Sequence, residues 1–144
     1  MSAYQATIRH PSRLASALDG KLVVPEHGRF HEARQAWNLA IDQRPAAVAF
    51  PETADDVSAA VLFAREFGLR IAAQGTGHNP GPLGSLNDTV LVKTERMREV
   101  RIDPERRIAR VGAGVRRTSE AGDYQYGDGR RAIRPDHLKV GAAH

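Results

Sequence analysis

Residues 46–81 read AAVAFPETADDVSAAVLFAREFGLRIAAQGTGHNPG, and the period of the apolar positions changes twice within them. Ala46 to Phe50 form a continuous small and apolar run between Pro45 and Pro51, the pattern of a strand buried on both faces. Thr53 then opens a helix. It is a good N-cap, Asp56 three residues on makes an acidic capping box, and Asp55 and Asp56 suit the positive end of the helix dipole. Val57, Ala60, Val61, Ala64 and Phe67 recur on one face and Gly68 supplies a left-handed stop, so the spacing predicts a helix over 54–67. LRIAA at 69–73 returns as a strand. Such a strand, helix, strand unit is expected to set its two strands side by side through a right-handed crossover.

Outward from this unit, TVLVKT at 89–94 reads as a further strand by its β-branched content. REVRI and RIARVGAGV flank Asp103-Pro104-Glu105-Arg106, a type I turn sequence, which predicts a β-hairpin over 98–115. Val100 and Ile102 share one face of its first strand, and Ala109, Val111, Ala113 and Val115 share one face of its second. Upstream, residues 12–20 suit a short helix ending at Gly20, and KLVVP at 21–25 is a brief strand stopped by Pro25. GRFHEARQAWN carries Phe30, Ala33, Ala36 and Trp37 at helical spacing, which makes Trp37 a core residue rather than a ligand contact. From Arg116 the chain loses its apolar period and reads as a weakly ordered tail. The expected architecture is therefore α+β: a small mixed sheet with packed helices, a C-terminal hairpin and an irregular tail. The chain divides as an N-terminal segment 1–20, a domain 21–115 and a tail 116–144.

Composition excludes several classes of function. The chain has 144 residues and no cysteine, which removes disulfides, thiolate nucleophiles and thiolate metal sites. Its hydrophobic content of 41% with 26% charge is that of a globular protein, and no stretch suits a membrane span. Arg9, Pro11, Arg13 and Asp19 interrupt the N-terminal region, so a secretory signal is not expected and a cytoplasmic location is. The net charge of +4 invites a nucleic-acid reading, but the cations alternate with acids in Glu95-Arg96-Met97-Arg98-Glu99, and aromatics make up only 6%. No nucleic-acid partner is expected. His27 and His31 are four apart, but Gly28 and the helix start intervene and no third ligand completes a metal site.

The candidate site is the glycine-rich loop after the second strand: Gln74, Gly75, Thr76, Gly77, His78 and Asn79, with Gly81 and Gly84 beyond it. A dinucleotide fingerprint would need glycine where Pro80 stands and would open a helix, which Pro80 and Pro82 oppose. A Walker A loop would need Gly-Lys followed by Ser or Thr, and the chain has none. The loop instead combines glycines, which take positive φ and let a ligand approach bare amides, with Pro80, which drives Asn79 toward an extended conformation. Several amides together suit an anion such as a pyrophosphate. Spacing alone serves equally well for a glycine-rich connection that binds nothing.

The run RPAAVAFPETADDVSAAVLFAREFGLRIAAQGTGHNPGPLG, with the later VLVKTERMREVRIDPERRIARVGAGV, resembles the first half of an FAD-binding domain of the p-cresol methylhydroxylase (PCMH) type. Within that type it is similar to the berberine bridge enzyme-like, FAD-linked oxidases. The resemblance covers roughly residues 20–115 and rests on PETADDV, the GTGHN loop and the hairpin ending in VGAGV. It implies that residues 74–79 wrap the FAD pyrophosphate through backbone amides. It also implies that His78 bonds through a ring nitrogen to the 8α-methyl of the isoalloxazine, although some relatives hold FAD without this bond. The imidazole has to be neutral to act as nucleophile. The second tether of some relatives is a cysteine, so double attachment is excluded here.

After VGAGV the family continues with an aromatic residue, a helix, a second glycine-rich half and a substrate domain, whereas this chain has Arg116-Arg117-Thr118. The missing half normally supplies substrate contacts and the catalytic base, so no catalytic residue is assigned. Three readings follow: an FAD-linked oxidoreductase that needs a missing portion, a stand-alone flavin module that serves a second subunit, or an inactive truncated product with a frame-shifted tail.

Overall fold

The protein is described by a computed structural model over residues 16–18 and 20–115. The expected helix over 12–20 falls mostly outside these residues, and the expected tail at 116–144 lies outside them altogether. Two compact units divide the chain, residues 1–97 and 98–144. The first is a sheet with a helix against each face; the second contains the hairpin.

In the first unit the elements run β1 (Leu22–Val23), α1 (Phe30–Ala33), β2 (Ala47–Ala49), α2 (Ala54–Glu66), β3 (Arg70–Gln74) and β4 (Thr89–Lys93). The sheet order is β1-β2-β4-β3. β4 lies parallel to both neighbours, with Leu91 opposite Val48 on one side and Ala72 on the other. The two strands flanking α2 are therefore not neighbours, as the sequence unit suggested: β4 enters between them. Its composition explains the position, because Thr89 to Lys93 are all buried and only a central strand removes five successive residues from water. β1 pairs antiparallel with β2 at the sheet's edge.

α2 forms where its local signals put it. Thr53 Oγ1 accepts from the Asp56 amide at 3.2 Å, and the Asp56 carboxylate accepts from the Thr53 amide at 3.0 Å, which closes the capping box. At the other end Gly68 has φ +63, with Leu69 N bonding Ala64 O at 2.8 Å and Gly68 N bonding Arg65 O at 3.3 Å, the two bonds of a Schellman motif. The buried stripe is rotated from the expected one. Ala60, Phe63 and Ala64 meet Ala47, Ala49, Val90 and Val92, while Val61 is exposed. Alanines on both surfaces let the helix approach closely, and Phe63 fills the space between. Val23, Ala33, Val48 and Phe50 form the smaller cluster on the opposite face.

Asp56 also joins α2 to β1. Burial alone would raise its pKa, but Lys21 Nζ at 2.8 Å and the amides of Glu52 and Thr53 hold the carboxyl down at about 2. In the second unit β5 (Val100–Asp103) pairs antiparallel with β6 (Ile108–Val111), with Val100 opposite Val111 and Ile102 opposite Ala109. Asp103 Oδ1 accepts from the Arg106 amide at 3.0 Å in the turn, so the expected hairpin forms. Strand β6 stops at Val111, before Ala113 and Val115.

Two outcomes are expected. Phe63→Ala should lower stability by about 3–5 kcal/mol in urea unfolding, because the surrounding alanines cannot collapse into the cavity. The Asp56 pKa is depressed from 3.8 to about 2, so its contribution is complete above pH 4 and is lost as pH falls toward 2. Wild type should therefore lose stability more steeply over that window than Asp56→Asn, measured by thermal unfolding at stepped pH.

Candidate functional site

β2, β4 and β3 all end at the same edge of the sheet, and their last residues or first followers, Phe50, Lys93 and Gln74, gather there. Carboxyl ends of parallel strands are where open α/β sheets place ligands, because the loops diverge from that edge. Gln74 is opposite Lys93 in the strand register. Lys93 is buried; its ammonium donates to the Gln35 carbonyl at 2.6 Å and lies 5.7 Å from the Phe50 ring centre. Burial pushes its pKa down from the ordinary lysine value. A cavity of about 310 Å³ opens beside it, lined by Arg29, Glu32, Phe50 and Arg96 among others.

The loop after β3 is held by a segment nearly forty residues earlier. Trp37 N donates to Thr76 O and Asn38 N to Gly77 O, each at 3.3 Å. The peptides are trans, and in a trans peptide the carbonyl and the following N–H point in opposite directions. Tying the Thr76 and Gly77 carbonyls to residues 37 and 38 thus turns the amides of Gly77 and His78 to the other side. Among the described residues neither amide has an acceptor. Successive backbone amides left free in this way are the donors from which anion-binding turns are built.

Gly77 makes this close approach feasible. Its φ is +76, and a Cβ there would stand 3.1 Å from the Ala36 Cα and Cβ and 2.9 Å from Gln74 Nε2. The Gln74 side chain lies beneath it, 5% exposed, and both its amide atoms lack partners among the described residues. An unmet buried amide costs roughly 1–3 kcal/mol, so this position is expensive unless something is bound to it.

The remaining residues of the expected site are distributed along the loop. Gly75, Thr76, His78 and Asn79 are exposed. Gly81 and Gly84 bracket a short 3-10 turn, Gly81–Leu83, where Gly84 takes φ +64 and added Cβ atoms would meet nothing. The His78 ring stacks on Trp37, centre to centre 4.3 Å with the planes tilted by 44°. This corrects the expectation that Trp37 is core. It is 70% exposed, because the helical stripe from Phe30 breaks after one turn, at Ala33, and the chain then continues through turns and bends. His27 and His31 bond locally, to the Val24 amide and to Arg34 and Gln35. Among the described residues no three metal-ligating side chains converge.

A family model described as an FAD binding domain matches residues 45–119, just over half of the chain. The chain belongs to this FAD-binding family. It is 30% identical over 106 residues to (R)-6-hydroxynicotine oxidase of Paenarthrobacter nicotinovorans, covering 72% of this chain and 23% of that protein. It is 34% identical to glucooligosaccharide oxidase of Sarocladium strictum over 56% of this chain and 16% of the relative. Among solved structures, the wild-type BBE-like 1 protein of Physcomitrella patens superposes with TM-score 0.59 and 32% identity, over 73% of this chain and 24% of that one. The chain thus spans less than a quarter of the length of these relatives. The expected FAD-linked oxidase ancestry and α+β fold are both borne out. Trp37, Ala36 and Asn38 are what sequence reading missed at the site, since nothing local ties them to residues 76–78.

Gly77→Ala should destabilise the protein by about 1–2 kcal/mol through its positive φ and the Ala36 clash. Gly75→Ala, at ordinary φ and in open space, should be close to neutral. Thermal unfolding of the pair checks this.

Proposed function

We propose that residues 21–115 are the pyrophosphate-holding part of an FAD-linked oxidoreductase, with Gln74, Gly75, Thr76, Gly77, His78 and Asn79 on the cofactor and Gly81 and Gly84 shaping the exit of the loop. The observation that carries this is the pair of free amides at Gly77 and His78, turned outward by the bonds from Trp37 and Asn38. The unmet Gln74 amide also suits an apposed polar group. The amides would supply charge-assisted hydrogen bonds, each worth roughly 1.5–3 kcal/mol, so no cation is needed for the phosphates. FAD supplies a two-electron acceptor to the reaction.

His78 is exposed on the same loop, one residue beyond Gly77, and it is the residue we assign to covalent attachment. The bond would replace an imidazole N–H and one C–H of the 8α-methyl, so attachment would release two electrons and two protons and would need a two-electron oxidant such as dioxygen, reduced to hydrogen peroxide. The share of the relatives' length that this chain covers favours a second element of the reading: substrate contacts come from a polypeptide segment other than residues 21–115, in the same or another subunit.

Full-length protein incubated with FAD should retain yellow colour in the pellet after acid precipitation. His78→Ala should abolish the acid-stable flavin and keep a dissociable fraction, because the backbone amides persist. Wild type with no flavin under any of these conditions would defeat the reading.

A further inference from the structure

We propose that Trp37 is a positioning residue for His78, holding the imidazole in the one orientation from which its ring nitrogen meets the flavin. The inference rests on His78 being the attachment residue.

An exposed histidine on a loop has three staggered χ1 wells open to it. Here the ring packs against the Trp37 indole, 4.3 Å centre to centre with the planes tilted by 44°, a contact that the other wells would give up. The backbone that carries the indole is well anchored. The backbone on both sides of it is pinned to other elements, with the Gln35 carbonyl held by the Lys93 ammonium, the Trp37 and Asn38 amides held by Thr76 and Gly77, and the Asn38 side chain accepting from the Ala40 amide at 3.1 Å. Only two side-chain torsions remain, and a bulky rigid ring loses little entropy in fixing them. The bonds that fix Trp37 end on the two peptides next to His78, so the indole keeps its place relative to the loop even if the loop shifts.

Core packing does not account for this placement. Trp37 leaves 70% of its surface in water, whereas Phe63 and Leu18 are fully buried. Its contact with His78 is with an exposed polar ring, which contributes little to folding. An indole packed against the imidazole at this distance and tilt limits the rotations open to the His78 side chain. Rate then depends on orientation, and misplacement of a nucleophile by about an ångström costs on the order of a hundredfold.

The test uses the full-length chain as wild type, Trp37→Ala and Trp37→Phe. In the absence of flavin, the His78 ring protons should show an upfield ring-current shift by NMR, lost in Trp37→Ala and largely kept in Trp37→Phe. On incubation with FAD, Trp37→Ala should form acid-stable flavin at least about tenfold more slowly, with its affinity for dissociable FAD within about a factor of two of wild type, and Trp37→Phe should recover most of the rate. Equal rates of attachment in wild type and Trp37→Ala overturn the proposal. So does parallel loss of affinity and rate, which is what a merely structural role would give. If wild type binds FAD only dissociably, the positioning role falls and the cofactor reading stands. If it takes up none, both fall.

Discussion

A trans peptide cannot turn its carbonyl without turning its neighbouring amide, and the loop at 75–79 depends on this constraint. Once Trp37 and Asn38 capture the carbonyls of Thr76 and Gly77, the next two N–H groups have no freedom left. The positive φ at Gly77 is required by the same arrangement, because Ala36 lies where a side chain would have to go. The direction of these amides is thus set by backbone alone, with the identity of the residues mattering mainly through what they leave out.

That arrangement in turn depends on where β4 sits. With β4 central and parallel to both neighbours, three strand ends converge on one edge, and the segment from Phe30 to Asn38 runs across it from Phe50 past Lys93 to the loop. The buried Lys93 ammonium anchors this segment by its hydrogen bond to the Gln35 carbonyl. It has a cost, visible in the lowered pKa, and the hydrogen bond and the Phe50 ring face offset part of it. A hydrophobic residue there would cost less to bury but would leave the Gln35 carbonyl without its donor.

What the sequence made legible was what is decided locally. Thr53, Asp56 and Gly68 announce both ends of α2 because each acts within a turn of itself, and Asp103-Pro104 announces the hairpin for the same reason. The loop was legible too, since glycine next to proline excludes regular structure, and the family resemblance rests on these same local signals. Three features were not. The insertion of β4 between β2 and β3 is a choice among sheet orders that leaves no trace in periodicity. The break of α1 at Ala33 is dictated by partners at Lys93, Thr76 and Gly77, so helical spacing carried the reading past it to Trp37. The rotation of the α2 stripe toward Phe63 depends on the small residues opposite it.

Trp37 is the chain's single tryptophan. All ultraviolet emission excited at the red edge of indole absorption therefore originates beside the loop, 4.3 Å from the imidazole of His78, and none comes from the core around Phe63. The folded protein carries its own optical probe at the site of interest, largely hydrated and hence red-shifted. Its emission wavelength will barely register loss of the core, while its intensity will respond to anything that dries or darkens the surroundings of the loop.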